Sequence, residues 1–354
     1  MKCAVYLGKE KIEIRESEKP KVGKNDVLVK NIYSSICGTD VAVFTQGPNT
    51  GHKITVGQEF GHETVSRIVE IGENVTDFTI GERVYPYPLF VKKDFSRAGT
   101  IGGFSEYMLV ENAKKYYNLY PVNDQISDKL ACLIEPFTVG CRAARRGMIP
   151  NGKINDKTTY ISGENAVVFG AGTIGIAAAV AFRYFGMRKV IVCDISDFRL
   201  HIAKNFGVET CKASIENFEE KSLTYFGEAN SLFGKTANID CWLDAAGSDS
   251  ILEQFMRLGK IESRFVSVAV NKSVRNLDLL HVTYSQKSII GSGGYMPEDV
   301  FDVQSIMTCG RWNIESLITH EFPLEELDKA IRTASNVNIS GNVIIKMAED
   351  FAKA

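Results

Sequence analysis

The sequence lacks a charge imbalance, a long apolar N-terminal run and any Cys-x-x-Cys pair. Its 41 Lys and Arg residues nearly balance 43 Asp and Glu residues, so a net charge of −2 provides no field that attracts nucleic acid or an anionic membrane. The first apolar stretch, Cys3 to Leu7, is too short for a signal-peptide core. We therefore expect no nucleic-acid partner, no membrane partner and no export.

Cysteine is present but follows no regular spacing, which argues against a disulfide framework. Scattered thiols in a chain of 354 residues suit a reducing cytoplasm, where most are small buried apolar residues and one can be a metal ligand. We therefore expect a cytoplasmic protein. The eight cysteines are Cys3, Cys37, Cys132, Cys141, Cys193, Cys211, Cys241 and Cys309.

The length favours two domains, and the hydrophobic pattern changes along the chain. Short β-rich runs dominate up to Glu135, and the polar stretch 150–164 is typical of a loop. From Ala166 onward, strand-like and helix-like segments alternate, which predicts a parallel sheet with helices on both faces. The uncharged run from Asn165 to Phe182 is interrupted by three glycines, so a strand, a turn and a helix explain it better than a membrane span.

A glycine-rich turn predicts a dinucleotide site in this second region. Gly170, Gly172 and Gly175 form a G-x-G-x-x-G run between an apolar strand and an Ala-rich helix. Asp194 ends the next strand and would accept hydrogen bonds from the adenosine ribose, which favours NAD over NADP. Arg199 lies five residues later and could reach a phosphate. The alternative is a glycine turn in a doubly wound domain that binds another ligand.

Three residues in the first region have the chemistry of a zinc site. Cys37 follows a strand in a predicted turn, and His62 and Glu63 open another strand 25 residues later. Each alone is more often structural or exposed. Together, a thiolate, an imidazole and a carboxylate suit a catalytic zinc that keeps one position open.

With these motifs the chain resembles the zinc-dependent medium-chain dehydrogenases, in particular the sorbitol (polyol) dehydrogenase-like branch. The resemblance spans nearly the whole chain. It implies an α/β fold in which a GroES-like, mostly β catalytic domain (1–136 and 294–354) flanks a doubly wound Rossmann domain (137–293), with the active site in the cleft between them. The motifs that carry it are Ile36 to Asp40, Gly61 to Glu63, Val69 to Gly72, Gly81 to Val84, Gly102 to Tyr107, Leu133 to Phe137, Gly170 to Gly175 and Leu317 to Leu324.

The resemblance also implies residue roles. Cys37, His62 and Glu63 would bind zinc, with Glu135 as a further or exchanging ligand, and Thr39 would take part in proton relay. Thr138 and Val139 would lie near the nicotinamide of NAD. The remaining cofactor residues would be Gly170, Gly172, Thr173, Ile174, Gly175, Asp194 and Arg199.

Two departures from the family matter. The interval Tyr85 to Ile101 contains no cysteine and is too short for the lobe that holds a structural zinc, so we expect one zinc per chain. Position 42 is Ala where many relatives have a proton-relaying His, so the exit route for the proton stays open.

The family points to an alcohol dehydrogenase, and Glu135 favours a polyol or sugar alcohol, with Tyr295 as a substrate contact. Many sorbitol dehydrogenases have an Arg before this Tyr, whereas this chain has Gly294. Butanediol, threonine or a phosphorylated sugar alcohol held by Lys92, Lys93 or Arg97 therefore stay open. So do two other readings, a zinc-free quinone or enoyl reductase and a catalytically silent NAD-binding protein.

The family finally implies a homodimer or homotetramer. An edge strand such as Phe265 to Val270 would be a suitable contact, because its apolar run would otherwise expose unpaired backbone groups. The alternative is that this strand lies in the interior of the sheet.

Overall fold

The computed structural model describes residues 1–50, 53–148, 150–154, 157–160 and 164–347. The chain divides into two compact units. The first unit comprises Met1–Glu135, Met307–Cys309 and Ile314–Ala354, and the second comprises Pro136–Ile306 and Gly310–Asn313.

The first unit consists mostly of β-strands. Its elements are β1 (Lys2–Gly8), β2 (Lys11–Glu16), β3 (Val27–Ser35), α1 (Gly38–Gln46), β4 (Glu63–Ile71), β5 (Arg83–Pro86), α2 (Pro88–Val91), β6 (Tyr107–Val110), β7 (Leu119–Pro121), α3 (Asp128–Ala131), and, near the C-terminus, β18 (Ile318–Pro323), α11 (Leu327–Ser335) and β19 (Asn342–Lys346).

The central strand of this unit is β3, because it pairs antiparallel with β4, β6 and β19. The sheet runs β18-β19-β3-β4-β5-β7, with β6 paired to β3. Apolar side chains of β3 and β4, including Val29 and Ile68, pack into one core cluster of the unit. A second cluster, with Phe44 and Ile331, joins α1 to α11.

The second unit alternates strands and helices. Its elements are α4 (Ile134–Gly147, which begins in the first unit), β8 (Pro150–Ile154), β9 (Lys157–Tyr160), β10 (Asn165–Phe169), α5 (Thr173–Tyr184), β11 (Lys189–Asp194), α6 (Asp197–Lys204), β12 (Glu209–Lys212), α7 (Phe218–Phe226), β13 (Glu228–Ser231), β14 (Gly234–Ala237), β15 (Cys241–Asp244), α8 (Asp249–Leu258), β16 (Arg264–Ser267), α9 (Leu279–Ser285), β17 (Ser288–Gly291) and α10 (Pro297–Thr308).

Six of these strands form one parallel sheet in the order β12-β11-β10-β15-β16-β17. This is the strand order of a doubly wound dinucleotide-binding sheet, with the chain reversing direction across the sheet after β12. The predicted α/β class, a mostly β part and a parallel doubly wound part, is therefore confirmed. The uncharged run from Asn165 is divided between β10 and α5, and no helix in the described part of the chain is long and apolar enough to cross a membrane.

Two predictions about the second unit were wrong. The polar stretch 150–164, predicted as a loop, contains the antiparallel pair β8 and β9, and the rest of it up to residue 163 lies outside the described residues. The apolar run from Phe265 is not an edge strand, because β16 lies between β15 and β17, and the two edges of the sheet are β12 and β17.

The chain also returns to the first unit later than the predicted residue 294. Most of α10, up to Ile306, stays with the second unit, where its buried Asp299 accepts a hydrogen bond from Arg145 Nε of α4 at 2.7 Å. Arg142 Nη1, also on α4, is 3.8 Å from Asp299 Oδ2. These ion pairs attach α10 to α4, so the boundary falls in the last turn of α10 rather than before the helix.

Candidate metal centre and cofactor site

Two antiparallel strands bring the predicted metal ligands together. Ser35, the last residue of β3, pairs with Glu63, the first residue of β4. Cys37 lies two residues beyond the end of β3, and His62 lies immediately before β4. The register of this pair therefore brings residues more than 20 positions apart to one end of the sheet.

The donor atoms form a compact group. Cys37 Sγ, a ring nitrogen of His62 and a carboxylate oxygen of Glu63 all lie within 4.8 Å of one another. His62 and Glu63 are buried, and Cys37 is half-buried. In the described part of the chain this is the one group of three such side chains with that spacing.

Cys37 does not lie in a turn, as the sequence predicted, but caps the N-terminus of α1. Asp40, the third residue of α1, accepts a hydrogen bond from the Cys37 N–H at 3.1 Å through Oδ2. Its other oxygen, Oδ1, is 3.5 Å from His62 Nδ1. A carboxylate on one ring nitrogen is the usual support for a histidine whose other nitrogen binds a metal. Sequence reasoning did not assign Asp40, although an acid three residues after a ligand Cys was the available signal.

The electrostatics of the group fit a bound cation. Burial raises the pKa of the Cys37 thiol to about 12, and the nearby Glu63 carboxylate adds to the effect. Burial also raises the pKa of Glu63, and its Oε2 has no hydrogen-bond partner among the described residues. Burial opposes the charged form of His62, but Asp40 and Cys37 together raise its pKa well above the ordinary value. A divalent cation would supply the positive charge that stabilises the thiolate and the carboxylate.

Two further predicted residues lie in or near this region. The Thr39 hydroxyl donates a hydrogen bond to Cys37 Sγ at 3.1 Å. Glu135 is buried in the first turn of α4 but is not part of the three-residue group. Its role as a ligand stays a prediction.

The glycine-rich turn of the second unit lies between β10 and α5. Gly170 has φ +101°, a left-handed conformation that glycine adopts without strain. A Cβ at Gly175 would lie 1.8 Å from the Gly170 carbonyl oxygen, so only glycine allows the helix to begin so close to the strand. At Gly172 an added Cβ would meet only Arg199 Nη1, at 3.6 Å. The helix α5 begins at Thr173 and Ile174, directly after this glycine-rich turn. A glycine-rich turn before a helix N-terminus is the arrangement that binds anions such as phosphate.

Asp194 closes this turn from the neighbouring strand. Its carboxylate accepts the Ala171 N–H at 2.6 Å and the Ser196 N–H at 2.8 Å, which fixes it at the end of β11. Burial lowers the pKa of the nearby Arg199, while the Asp194 charge acts in the opposite direction. The predicted ribose acceptor and the predicted phosphate-reaching cation are therefore neighbours.

The other predicted contacts lie on separate elements of the second unit. Thr138 is buried and Val139 is half-buried on α4. Tyr295 is buried just before α10, after Gly294, which has φ +62°. Their contacts with cofactor or substrate stay predictions.

Two family models match this chain, one in its N-terminal part and one further along. Residues 23–123 match the model of the alcohol dehydrogenase GroES-like domain, and residues 173–308 match the model of the zinc-binding dehydrogenases. The L-threonine 3-dehydrogenase of Pectobacterium atrosepticum is 26% identical over 371 residues, which covers 100% of this chain and 96% of the relative.

Solved structures share the fold. The 2R,3R-butanediol dehydrogenase of Bacillus subtilis matches with a TM-score of 0.80 and 22% identity, over 98% of this chain and 99% of that one. The galactitol-1-phosphate dehydrogenase of Escherichia coli matches with a TM-score of 0.78 and 22% identity, over 98% and 100% of the two chains.

Replacing Gly175→Ala should lower the free energy of unfolding by about 1–3 kcal/mol, because the added methyl group forces α5 away from the Gly170 carbonyl. Urea denaturation measures this change. Gly293→Ala is the matched control, since no heavy atom lies within 4 Å of its added Cβ and it should shift stability by less than about 0.5 kcal/mol. Equal stabilities of the two variants would contradict the close approach of Gly175 to the Gly170 carbonyl.

Proposed function

Because this chain belongs to the zinc-dependent medium-chain dehydrogenases, we propose that it oxidises a small secondary alcohol with a neighbouring hydroxyl, a polyol or sugar alcohol, to the ketone with NAD. The observation that carries the proposal is the compact group of Cys37, His62 and Glu63, in a chain that also has a glycine-rich turn whose Ala171 N–H is bound by Asp194. A zinc ion there would supply the Lewis acidity that makes an alcohol hydroxyl acidic near neutral pH.

The chain's own residues prepare this chemistry. Asp40 orients His62 and the backbone of Cys37. The Thr39 hydroxyl lies beside the thiol, and a hydroxyl can accept the substrate proton while it donates its own onward. Glu135 is the proposed further ligand or the acceptor for a second substrate hydroxyl. The glycine-rich turn and Asp194 would hold the dinucleotide, which would supply the hydride acceptor.

Two observations bear on the substrate class. The carboxylate of Glu135 supports a polyol, because it can accept a hydrogen bond from a hydroxyl next to the reacting carbon. Gly294 lies in the left-handed region, where an Arg would be strained, so this backbone does not favour the guanidinium that many sorbitol dehydrogenases have there. The second candidate substrate is L-threonine, which is also a secondary alcohol with a polar neighbour, because an L-threonine 3-dehydrogenase is similar over the whole chain.

The purified protein should contain about one zinc per chain. Cys37→Ser and His62→Ala should each lose zinc and turnover but keep NADH binding, because the dinucleotide turn belongs to the other unit. Elemental analysis and NADH fluorescence measure the two effects. Cys3→Ala, at another buried thiol of the first unit, should keep its zinc. Two zinc ions per chain would contradict the proposal, and loss of zinc together with NADH binding would indicate misfolding.

NAD should be strongly preferred to NADP. A 2′-phosphate about 4 Å from the Asp194 carboxylate would be repelled by up to ~4 kcal/mol, equivalent to roughly a thousandfold in kcat/KM. Steady-state kinetics with both cofactors measure the preference, and Asp194→Ala should narrow it. Arg199→Ala is the companion variant, since loss of the cation should weaken NADP further. Equal or better kcat/KM with NADP would contradict the assignment of Asp194.

A substrate panel tests the reaction itself. We expect kcat/KM on a polyol to exceed that on ethanol by at least about tenfold, because a site that pairs with a second hydroxyl rejects an alcohol that lacks it. The panel comprises sorbitol, xylitol, ribitol, their phosphates, 2,3-butanediol, threonine and ethanol. Ethanol as the best substrate would contradict the polyol assignment, and threonine as the best would select the second candidate. No turnover on any alcohol despite bound zinc would favour the silent NAD-binding alternative.

We expect a homodimer or a homotetramer. One of the two edges of the parallel sheet is β17. This strand carries the exposed Ile289, and α9, which precedes it in the chain, carries the exposed Leu280 and Tyr284. Pairing of two such edges would satisfy their backbone groups and bury the apolar side chains. In sedimentation at micromolar concentration, Leu280→Glu should favour the monomer, whereas Ile80→Glu, at an exposed site of the first unit, should not. A monomeric unchanged protein would contradict the proposal.

A further inference from the structure

Two cysteines without a role in the proposed reaction face each other in the parallel sheet of the second unit. Cys193 of β11 is paired in register with Cys211 of β12. Both are buried and belong to the same core cluster. Cys193 immediately precedes Asp194, and β12 is an edge strand of the sheet.

The register is compatible with a disulfide. Adjacent strands lie about 4.8 Å apart, and side chains at paired positions point to the same face of the sheet. Disulfides join Cα atoms that are roughly 4.4–6.8 Å apart, so the spacing of these strands falls within their range. Cys241, on β15 of the same sheet, lacks such an arrangement, because its register partners are Ala166 and Arg264.

The two thiols also differ in acidity. Burial raises the pKa of Cys193 well above the ordinary value, and its hydrogen bond to Cys211 adds to the effect. The same hydrogen bond lowers the pKa of Cys211, because it stabilises the thiolate that accepts it. Lys221 of α7 stabilises the thiolate forms of both. Of the two thiols, Cys211 therefore has the larger thiolate fraction, so we assign the attack on the oxidant to Cys211 and the resolving step to Cys193.

We propose that Cys193 and Cys211 form a reversible disulfide with hydrogen peroxide and that this bond weakens dinucleotide binding at Asp194, a consequence that rests on the proposed cofactor site. The Cys211 thiolate attacks the O–O bond, which breaks to give a sulfenic acid and, with a proton, water. The sulfur of Cys193 then attacks the sulfenic sulfur, the S–S bond forms and a second water leaves. Two thiols lose two electrons, and one peroxide becomes two water molecules.

The link to the cofactor is mechanical. Cβ atoms in a disulfide are roughly 3.5–4.5 Å apart, which is less than the strand spacing of about 4.8 Å. The most common Cα separation in disulfides, about 5.5–6 Å, also differs from this spacing, so the bond shifts the paired residues of β11 and β12 relative to each other next to Asp194. That carboxylate holds the Ala171 and Ser196 N–H groups, so its displacement alters the turn that receives the dinucleotide.

The test treats the reduced protein with hydrogen peroxide and maps its peptides without reduction. We expect a peptide that links Cys193 to Cys211 and is released by dithiothreitol. The Kd for NADH, measured by fluorescence, should rise at least about fivefold, within the usual range of coupling between two sites. Reciprocally, saturating NADH should make the disulfide easier to reduce, by roughly 20 mV for a fivefold effect at about 30 mV per tenfold.

Three variants test whether the change in the Kd for NADH comes from this pair or from another oxidised cysteine, such as Cys37. In Cys193→Ala and Cys211→Ala, peroxide should leave the Kd for NADH unchanged, whereas Cys241→Ala should respond like the unchanged protein. Thermal unfolding of each reduced variant checks that it folds. If a variant fails to fold, the peptide map of the unchanged protein still shows whether Cys193 and Cys211 are linked.

Two outcomes overturn the inference, namely unlinked Cys193 and Cys211 peptides after peroxide treatment and a linked pair with an unchanged Kd for NADH. Failure of the reduced protein to bind NADH would instead overturn the proposed cofactor site and the predicted effect on it. The peptide map would still decide whether the disulfide forms.

Discussion

The candidate metal centre depends on one buried carboxylate. Asp40 holds the backbone N–H of Cys37 with one oxygen and faces the ring of His62 with the other. It therefore positions two candidate metal ligands, Cys37, which follows β3, and His62, which precedes β4. An unpaired charge in such a place costs several kcal/mol, so the carboxylate, the helix N-terminus and the imidazole stabilise one another only when all are present. The position of α1 follows from this arrangement, since Cys37 is its N-terminal cap.

The sequence predicted the chemistry of the sites better than their surroundings. The glycine run and Asp194 predicted the turn between β10 and α5, because the backbone conformation of Gly170 and the space at Gly175 leave almost no other residue possible. Cys37, His62 and Glu63 were predicted from donor chemistry, and the register of β3 and β4 brings them together. In both sites the requirement, a glycine backbone or a metal-binding side chain, restricts the residue type at single positions. Such a restriction can be recognised in the sequence.

Other features depend on partners that a local pattern does not contain. The start of α1 was predicted as a turn. The β-branched Thr39 and Val41 are weak helix formers, and one of the two contacts of Asp40, that with His62, is tertiary and cannot be read from the local sequence. The hairpin of β8 and β9 is polar, so its sequence resembles a loop. The apolar run from Phe265 suits an edge or an interior strand equally well, and only the order of the sheet places it inside. The late boundary, at the end of α10, likewise depends on the ion pairs of this helix with α4.

The strand β19 has a consequence for the order in which the chain folds during synthesis. Its Ile344 pairs with Ser35 of β3, and its Asn342 side chain donates a hydrogen bond to the Ser35 hydroxyl. The strand that leads to Cys37 therefore lacks one of its neighbours until Asn342–Lys346 have left the ribosome. The parallel sheet of the second unit is complete some 50 residues earlier. Since domains fold as units and N-terminal segments emerge first, the first unit begins folding before the second but finishes after it.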